Sequence, residues 1–298
     1  MRILGLQKLT LLDYPGRLAA VLFLGGCNFR CPFCQNSPLV LTPEELPELP
    51  PDELDRFLKK RIGILDGICV TGGEPTLYRD LPTLLAKIKA YGYLVKLDTN
   101  GTNPDMLEAL MSDGLIDYAA IDIKAGRKNY ARVCGLDGLM GCSVDMSSTL
   151  VKANELPGRP VDVTIPLVNA DELPGRSASI AGPPAGVCDL ADHSSDSAAS
   201  HSPDHILEKV SRSADLLCSG SIDYEFRTTV VRGLHTEEDF YDIASWLPGS
   251  HRYFLQSFRD DPGVLQKDHS FSSFSEKEMR HFLEIVQKEI PAAALRGI

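Results

Sequence analysis

Short apolar runs of five to eight residues alternate along the chain with longer stretches in which hydrophobic side chains recur every third or fourth position. The runs predict strands over Ala19 to Leu24, Gly67 to Thr71, Leu94 to Asp98, Tyr118 to Ile123, Tyr224 to Val231 and Arg252 to Gln256. Helices fill the intervals. Leu81, Leu84, Leu85 and Ile88 share one helical face. Asn103 before Pro104 supplies an N-cap and a first-turn proline. A further helix is predicted from about His205 to Cys218. Thr236 and Asp239 form a capping box ahead of the stripe Phe240, Ile243, Ala244 and Leu247. Met279, Phe282, Leu283, Val286 and Ile290 mark a C-terminal helix at about 275–290. Strands alternating with helices imply a parallel sheet wrapped by helices, and no repeat of fixed period interrupts the series.

One stretch departs from this rhythm. Between Pro174 and Asp204, twenty of thirty-one residues are Ser, Ala, Gly or Pro. Such a composition buries too little apolar surface to offset the entropy of ordering. The reading is one domain over 1–298 carrying a mobile insertion at about 136–204, most biased at 174–204.

Composition narrows the function classes. A chain of 298 residues with 43% hydrophobic content can bury a full core, and one α/β barrel of roughly 200 to 250 residues would use most of it. A net charge of −11 disfavours nucleic acid, whose phosphates need clustered Lys and Arg. No apolar run reaches the ~20 residues of a membrane span, and the N-terminal segment lacks signal-peptide features, so a cytoplasmic protein is expected. In that compartment the eight cysteines read as thiols or metal ligands rather than disulfides.

The informative residues stand where strands stop. Ala19 to Leu24 runs into GGCNFRCPFC, Gly67 to Thr71 into GGEP, Leu94 to Asp98 into TNG, and the fourth strand into DIK. In a parallel barrel the carboxyl ends of different strands converge on one rim, so all four motifs should face one pocket. Each alone reads as a turn former or a solvated charge; four in succession, one a cysteine cluster, do not. Cys27, Cys31 and Cys34 sit at short spacings in a loop, which favours an iron–sulfur cluster. Zinc is the competing reading, although no second CxxC and no nearby His-x₃-His completes a structural site. Three thiolates on a four-iron cubane would leave one iron open to a substrate or cosubstrate.

The segment CxxxCxΦC, with Phe33 before the last cysteine, resembles the signature of the radical S-adenosylmethionine (SAM) enzymes, and GGEP resembles their SAM-binding motif. The resemblance implies an α/β fold, a partial, open TIM-like (β/α)6 barrel of the radical SAM type. It implies one 4Fe–4S cluster on Cys27, Cys31 and Cys34, with the methionine amine and carboxylate of SAM chelating the fourth iron. Reductive cleavage of SAM then releases a 5′-deoxyadenosyl radical, which calls for a low-potential electron donor. By the same resemblance Phe33 and the Gln35 backbone meet the adenine, and Gly72, Gly73 and Glu74 meet the methionine ammonium, chiefly through backbone carbonyls. LDTNG and DIK are similar to strand ends of glycyl-radical-enzyme activases. That implies a monovalent cation near Asp98 and Asp122, and SAM contacts from Lys124 and Arg227. DYPG, from Asp13 to Gly16, resembles the lead segment of such activases. The whole string, over about 3–135 and 205–290, is most similar to anaerobic ribonucleoside-triphosphate reductase activating proteins, so the implied partner is a glycyl radical enzyme, that reductase first. Gln35 stands where related activases often carry His. Alternatives are activation of another glycyl radical enzyme of the pyruvate formate-lyase type, or small-molecule chemistry of the carboxy-deazaguanine synthase type. A different class would be an iron–sulfur or zinc module that serves structure or electron transfer without SAM.

Other signals carry less. Cys69 lies inside a strand and reads as a small buried hydrophobe. Cys134, Cys142, Cys188 and Cys218 are too scattered for a second cluster. His201 and His205 lie in or beside Ser-rich sequence and read as solvated. RVCG, from Arg132 to Gly135, resembles a glycine-radical loop but reads as a helix end and turn.

Overall fold

The computed structural model describes residues 1–136, 202–220, 222–266 and 268–298. The expected insertion at about 136–204 falls almost wholly outside the described residues, as do Cys142, Cys188 and His201.

Eight strands form one sheet in sequential order: β1 (Ile3–Thr10), β2 (Ala19–Leu24), β3 (Gly67–Gly72), β4 (Leu94–Thr99), β5 (Tyr118–Asp122), β6 (Asp223–Val230), β7 (Tyr253–Ser257) and β8 (Ala294–Arg296). β1 runs antiparallel to β2, and every later neighbour is parallel. The sheet is open, with β1 and β8 at its two edges. Around it lie α1 (Ser37–Leu41), α2 (Pro51–Lys60), α3 (Leu81–Ala90), α4 (Pro104–Ser112), α5 (Tyr130–Val133), α6 (Pro203–Ser219), α7 (Glu237–Trp246) and α8 (Glu276–Val286).

Period-two alternation sorts each strand between two environments. Ala20, Leu22, Ile68, Val70, Val95, Leu97, Ala119, Ile121 and Phe226 belong to the large core shared with the helices. Leu81, Leu84, Leu85 and Ile88 of α3 are all buried there, each contributing ~1.5–3 kcal/mol relative to exposure. Helix ends follow the local chemistry. Asn103 accepts from the Met106 N–H at 3.3 Å, and α7 and α8 open with complete capping boxes.

The opposite positions face the lumen. At its amino-terminal end Ala19, Val21, Cys69 and Tyr118 form a separate apolar cluster closed by Tyr14 of DYPG, whose ring meets Tyr118 edge-on at 5.8 Å. DYPG is therefore a plug at the end remote from the strand-end motifs. A Cβ on Gly67 would lie 2.9 Å from the Tyr14 ring, so glycine makes room for that plug.

β1 and β8 were not among the expected strands. β1 is an edge strand whose Leu9 points outward, 55% exposed, so its apolar positions do not alternate. β8 has three residues, too few for any period to show. The parallel ladders pair Leu24 with Gly72, Thr99 with Ile121, and Asp122 with Arg227, which aligns the carboxyl ends of five strands.

Candidate active site

Where β2 and β3 end, two glycine pairs pass main chain against main chain. The Gly73 N–H donates to Leu24 O at 2.8 Å and the Glu74 N–H to Gly26 O at 2.8 Å. A Cβ on Gly73 would stand 1.8 Å from Gly26 O, and one on Gly72 2.4 Å from Leu24 O, with Gly72 also at φ +116°. Only glycine fits such an approach. Asn36 donates to Gly72 O at 3.0 Å, fixing the peptide that faces the cavity.

Cys27, Cys31 and Cys34 line one cavity together with Phe33, Gln35, Gly72, Gly73, Glu74, Asp98, Asp122 and Lys124. The loop that carries the thiols is anchored on its far side: Leu265 N–H donates to Cys34 O at 2.8 Å and Gln266 N–H to Pro32 O at 2.9 Å. Burial pushes the Cys27 thiol up to about 12 and raises Cys34. Cys31 moves the other way, because the buried thiol of Cys134 donates to it. The Phe29 N–H points at Cys27 Sγ, 3.4 Å away, as amides do toward ligating sulfurs. Cys134 was set aside in the sequence, yet its carbonyl also accepts from the Arg30 N–H at 2.9 Å, so RVCG braces the cysteine loop.

Glu74 is 1% exposed and ties β3 to β4. Its Oε1 accepts from the Thr76 N–H at 3.0 Å and the Thr99 hydroxyl at 2.7 Å; its Oε2 accepts from the Asn100 N–H at 2.6 Å. Burial raises its pKa against the pull of these four donors, the Thr76 hydroxyl included. Asn100 in turn donates to Asn28 Oδ1 at 2.8 Å, which connects the TNG turn to the cysteine loop.

Across the lumen runs a ladder of charge. Lys96 Nζ reaches Asp98 Oδ1 at 2.5 Å, and Arg227 Nη1 reaches Asp98 Oδ2 at 3.2 Å. Arg227 Nε reaches Asp122 Oδ1 at 2.9 Å, and Lys124 Nζ reaches Asp122 Oδ2 at 3.1 Å. Below them Glu225 pairs with Arg296 at 3.0 Å and approaches Arg227 at 3.7 Å. Although burial opposes it, Arg227 with its lysine neighbours holds Asp98 and Asp122 below the ordinary carboxylate range. Burial likewise opposes the charge on Lys124, but Asp122 and the thiols outweigh it and raise that lysine. Every oxygen of Asp98 and Asp122 thus already has a side-chain cation within 3.2 Å.

Phe33 is buried and meets the His235 ring edge-on at 6.5 Å. His235 Nδ1 accepts from the Val231 N–H at 3.1 Å, so Nε2 carries the proton and donates to Lys124 O at 2.8 Å. Burial lowers its pKa and keeps the ring neutral. The Gln35 amide donates to Arg259 O at 2.9 Å, away from Phe33. The structure thus gathers every expected site residue; Arg227 joins through the two aspartates rather than on the cavity wall. It adds Asn36, Lys96, Asn100, Glu225 and His235. For Lys96 and Glu225 the signal was present: each lies two residues before a charged lumen residue, on the same strand face.

Residues 21–139 match the radical SAM superfamily. The chain carries a radical SAM domain. Over 295 residues it is 28% identical to a protein of Methanocaldococcus jannaschii provisionally named a glycyl-radical enzyme activating enzyme, covering 99% of this chain and 95% of that one. A second protein of that organism, named in the same way, is 34% identical over 141 residues, 46% of this chain and 48% of its own. Among solved structures, a radical SAM methyltransferase from Sphaerobacter thermophilus superposes with a TM-score of 0.57 at 13% identity, covering 97% of this chain and 68% of that one; this likeness is one of fold. The radical SAM family implies a 4Fe–4S cluster and SAM. The residues here fit both: three thiols on one cavity, a main-chain floor that a single Cβ would fill, and cationic side chains beside it. Among the described residues no helix is long and apolar enough to cross a membrane.

Proposed function

We propose that this radical SAM enzyme activates a glycyl radical enzyme, with anaerobic ribonucleoside-triphosphate reductase as its partner. The observation that carries the reading is the meeting of the cysteine loop, GGEP, LDTNG and DIK in one cavity, alongside similarity over 99% of the chain to a relative named for that activity. Cys27, Cys31 and Cys34 hold the cluster. Gly72, Gly73 and Glu74 offer backbone carbonyls to the methionine ammonium, while Lys124 faces its carboxylate and Arg227 supports that end of the site through Asp98 and Asp122. Phe33 packs on the adenine beside the Gln35 backbone, held by His235. When bound and reduced by a low-potential donor, cluster and SAM supply a carbon radical able to take hydrogen from a glycine Cα. The chain contributes orientation and exclusion of water.

The test is to mix anaerobically reconstituted protein, SAM, a reductant and the reductase, and record the electron paramagnetic resonance spectrum. A glycine-centred doublet is expected. SAM cleavage without the doublet would remove this partner; no cleavage at all would remove the chemistry.

A further inference from the structure

Lys96 projects from β4 into the lumen and is 1% exposed. Burying an ammonium is costly unless it is paired and its donors are used. Its register neighbours offer no second charge: Cys69 on β3, its thiol pushed up to about 12 by burial, and Tyr118 on β5, whose ring face lies 5.7 Å from Nζ. Its ionic partner is Asp98 Oδ1. The other Asp98 oxygen goes to Arg227, which spans to Asp122, whose last oxygen goes to Lys124. In this ladder four cations, Lys96, Lys124, Arg227 and Arg296, face three carboxylates, Asp98, Asp122 and Glu225. Cations thus outnumber carboxylates by one within the ladder, and of these groups Asp98, Asp122 and Lys124 line the cavity. An inorganic cation would share these oxygens with an ammonium or guanidinium and would add to that excess.

We infer that Lys96 is the built-in counter-cation of this site: its ammonium holds Asp98, and through Asp98, Arg227 and Asp122 the Lys124 ammonium on the cavity wall, in place to receive the cofactor's carboxylate without a free monovalent ion. The SAM arm of this inference rests on the proposed function. Lys96 is a positioning residue; it does not touch the cofactor.

The experiment uses the full chain with its cluster reconstituted, and measures SAM affinity in potassium, sodium or choline chloride at equal ionic strength. The wild type should vary by less than about twofold among the three salts. Lys96→Met, which keeps the length and loses the charge, should bind about tenfold or more weakly in choline and recover in potassium, sodium or ammonium chloride. Chemical rescue by a small cation is an outcome that a merely structural lysine would not give. Wild-type affinity that climbs about tenfold with potassium or sodium would overturn the inference, as would a Lys96→Met protein that binds normally in choline.

Thermal midpoints without SAM give an independent arm. The wild type should melt alike in all three salts, and Lys96→Met should be raised by potassium over choline; a wild type stabilised by potassium overturns the inference. Should the wild type bind no SAM in any salt, the proposed function fails while this arm still decides the role of Lys96. Where Lys96→Met does not fold, the two wild-type comparisons decide it.

Discussion

The backbone N–H of Asn100 donates to Glu74 Oε2 at 2.6 Å, so the turn after β4 hangs on a carboxylate that belongs to the turn after β3. Four donors converge on that carboxylate. Glu74→Gln presents an NH2 to at least one of them and leaves a buried donor unpaired. The expected cost is ~1–3 kcal/mol in urea denaturation, with cluster loading weakened in parallel. Unchanged stability would show that the shared acceptor is dispensable.

Gly73→Ala places a Cβ 1.8 Å from Gly26 O. Backbone must move to relieve that contact, so loss of cluster content is expected together with destabilisation beyond the ~1–3 kcal/mol of ordinary overpacking. Gly92→Ala serves as the comparison: its φ is +87° but its surroundings are open. It should cost ~1 kcal/mol and load normally. Equal behaviour of the two variants would sink the steric account.

Acid should undo the lumen ladder. Asp98 and Asp122 have folded pKa values depressed below the ~3.9 of an unfolded aspartate. The stability they contribute is therefore complete above about pH 4 to 5 and is lost as pH falls toward their folded values. Urea midpoints measured from neutral pH downward should drop through that window. Asp122→Asn should lower the neutral midpoint and flatten the acid limb; an acid limb as steep as in the wild type would refute the assignment.

Lys124→Met separates cluster binding from SAM binding. Lys124 ligates nothing and lines the cavity beside the thiols. The variant should keep its iron and sulfide content and lose SAM affinity by about tenfold or more, as removal of a charge-assisted contact does. Loss of the cluster with the lysine would place Lys124 in the thiol shell instead.

Much of this was legible before any coordinates. Six strands could be located because a buried parallel strand writes itself as an uninterrupted apolar run, and Asn103 and Thr236 announce helix starts through donors they must satisfy locally. Cys27, Cys31, Cys34, Gly72 and Gly73 were legible because their chemistry demands those residue types. Asp98, Asp122 and Lys124 stood out by ending strands. What escaped detection depends on partners distant in the chain. Cys134 is ordinary until it is seen against Cys31, and Glu74 does not reveal from sequence that its carboxylate serves Thr99 and Asn100. Lys96 reads as a stray charge in a strand until Asp98, Arg227 and Asp122 are joined across three strands. The monovalent cation was expected beside those aspartates without weighing the lysine that pairs with one of them.

Gly72 and Gly73, the glycines that line the cavity, have no side chains to exchange. Point changes there can spoil the pocket, yet none can tailor it, so the reaction centre is frozen while the loops around its mouth stay free to diverge. Any shift in what this protein acts upon has to be written in those loops, and a comparison of selectivity between relatives should begin there.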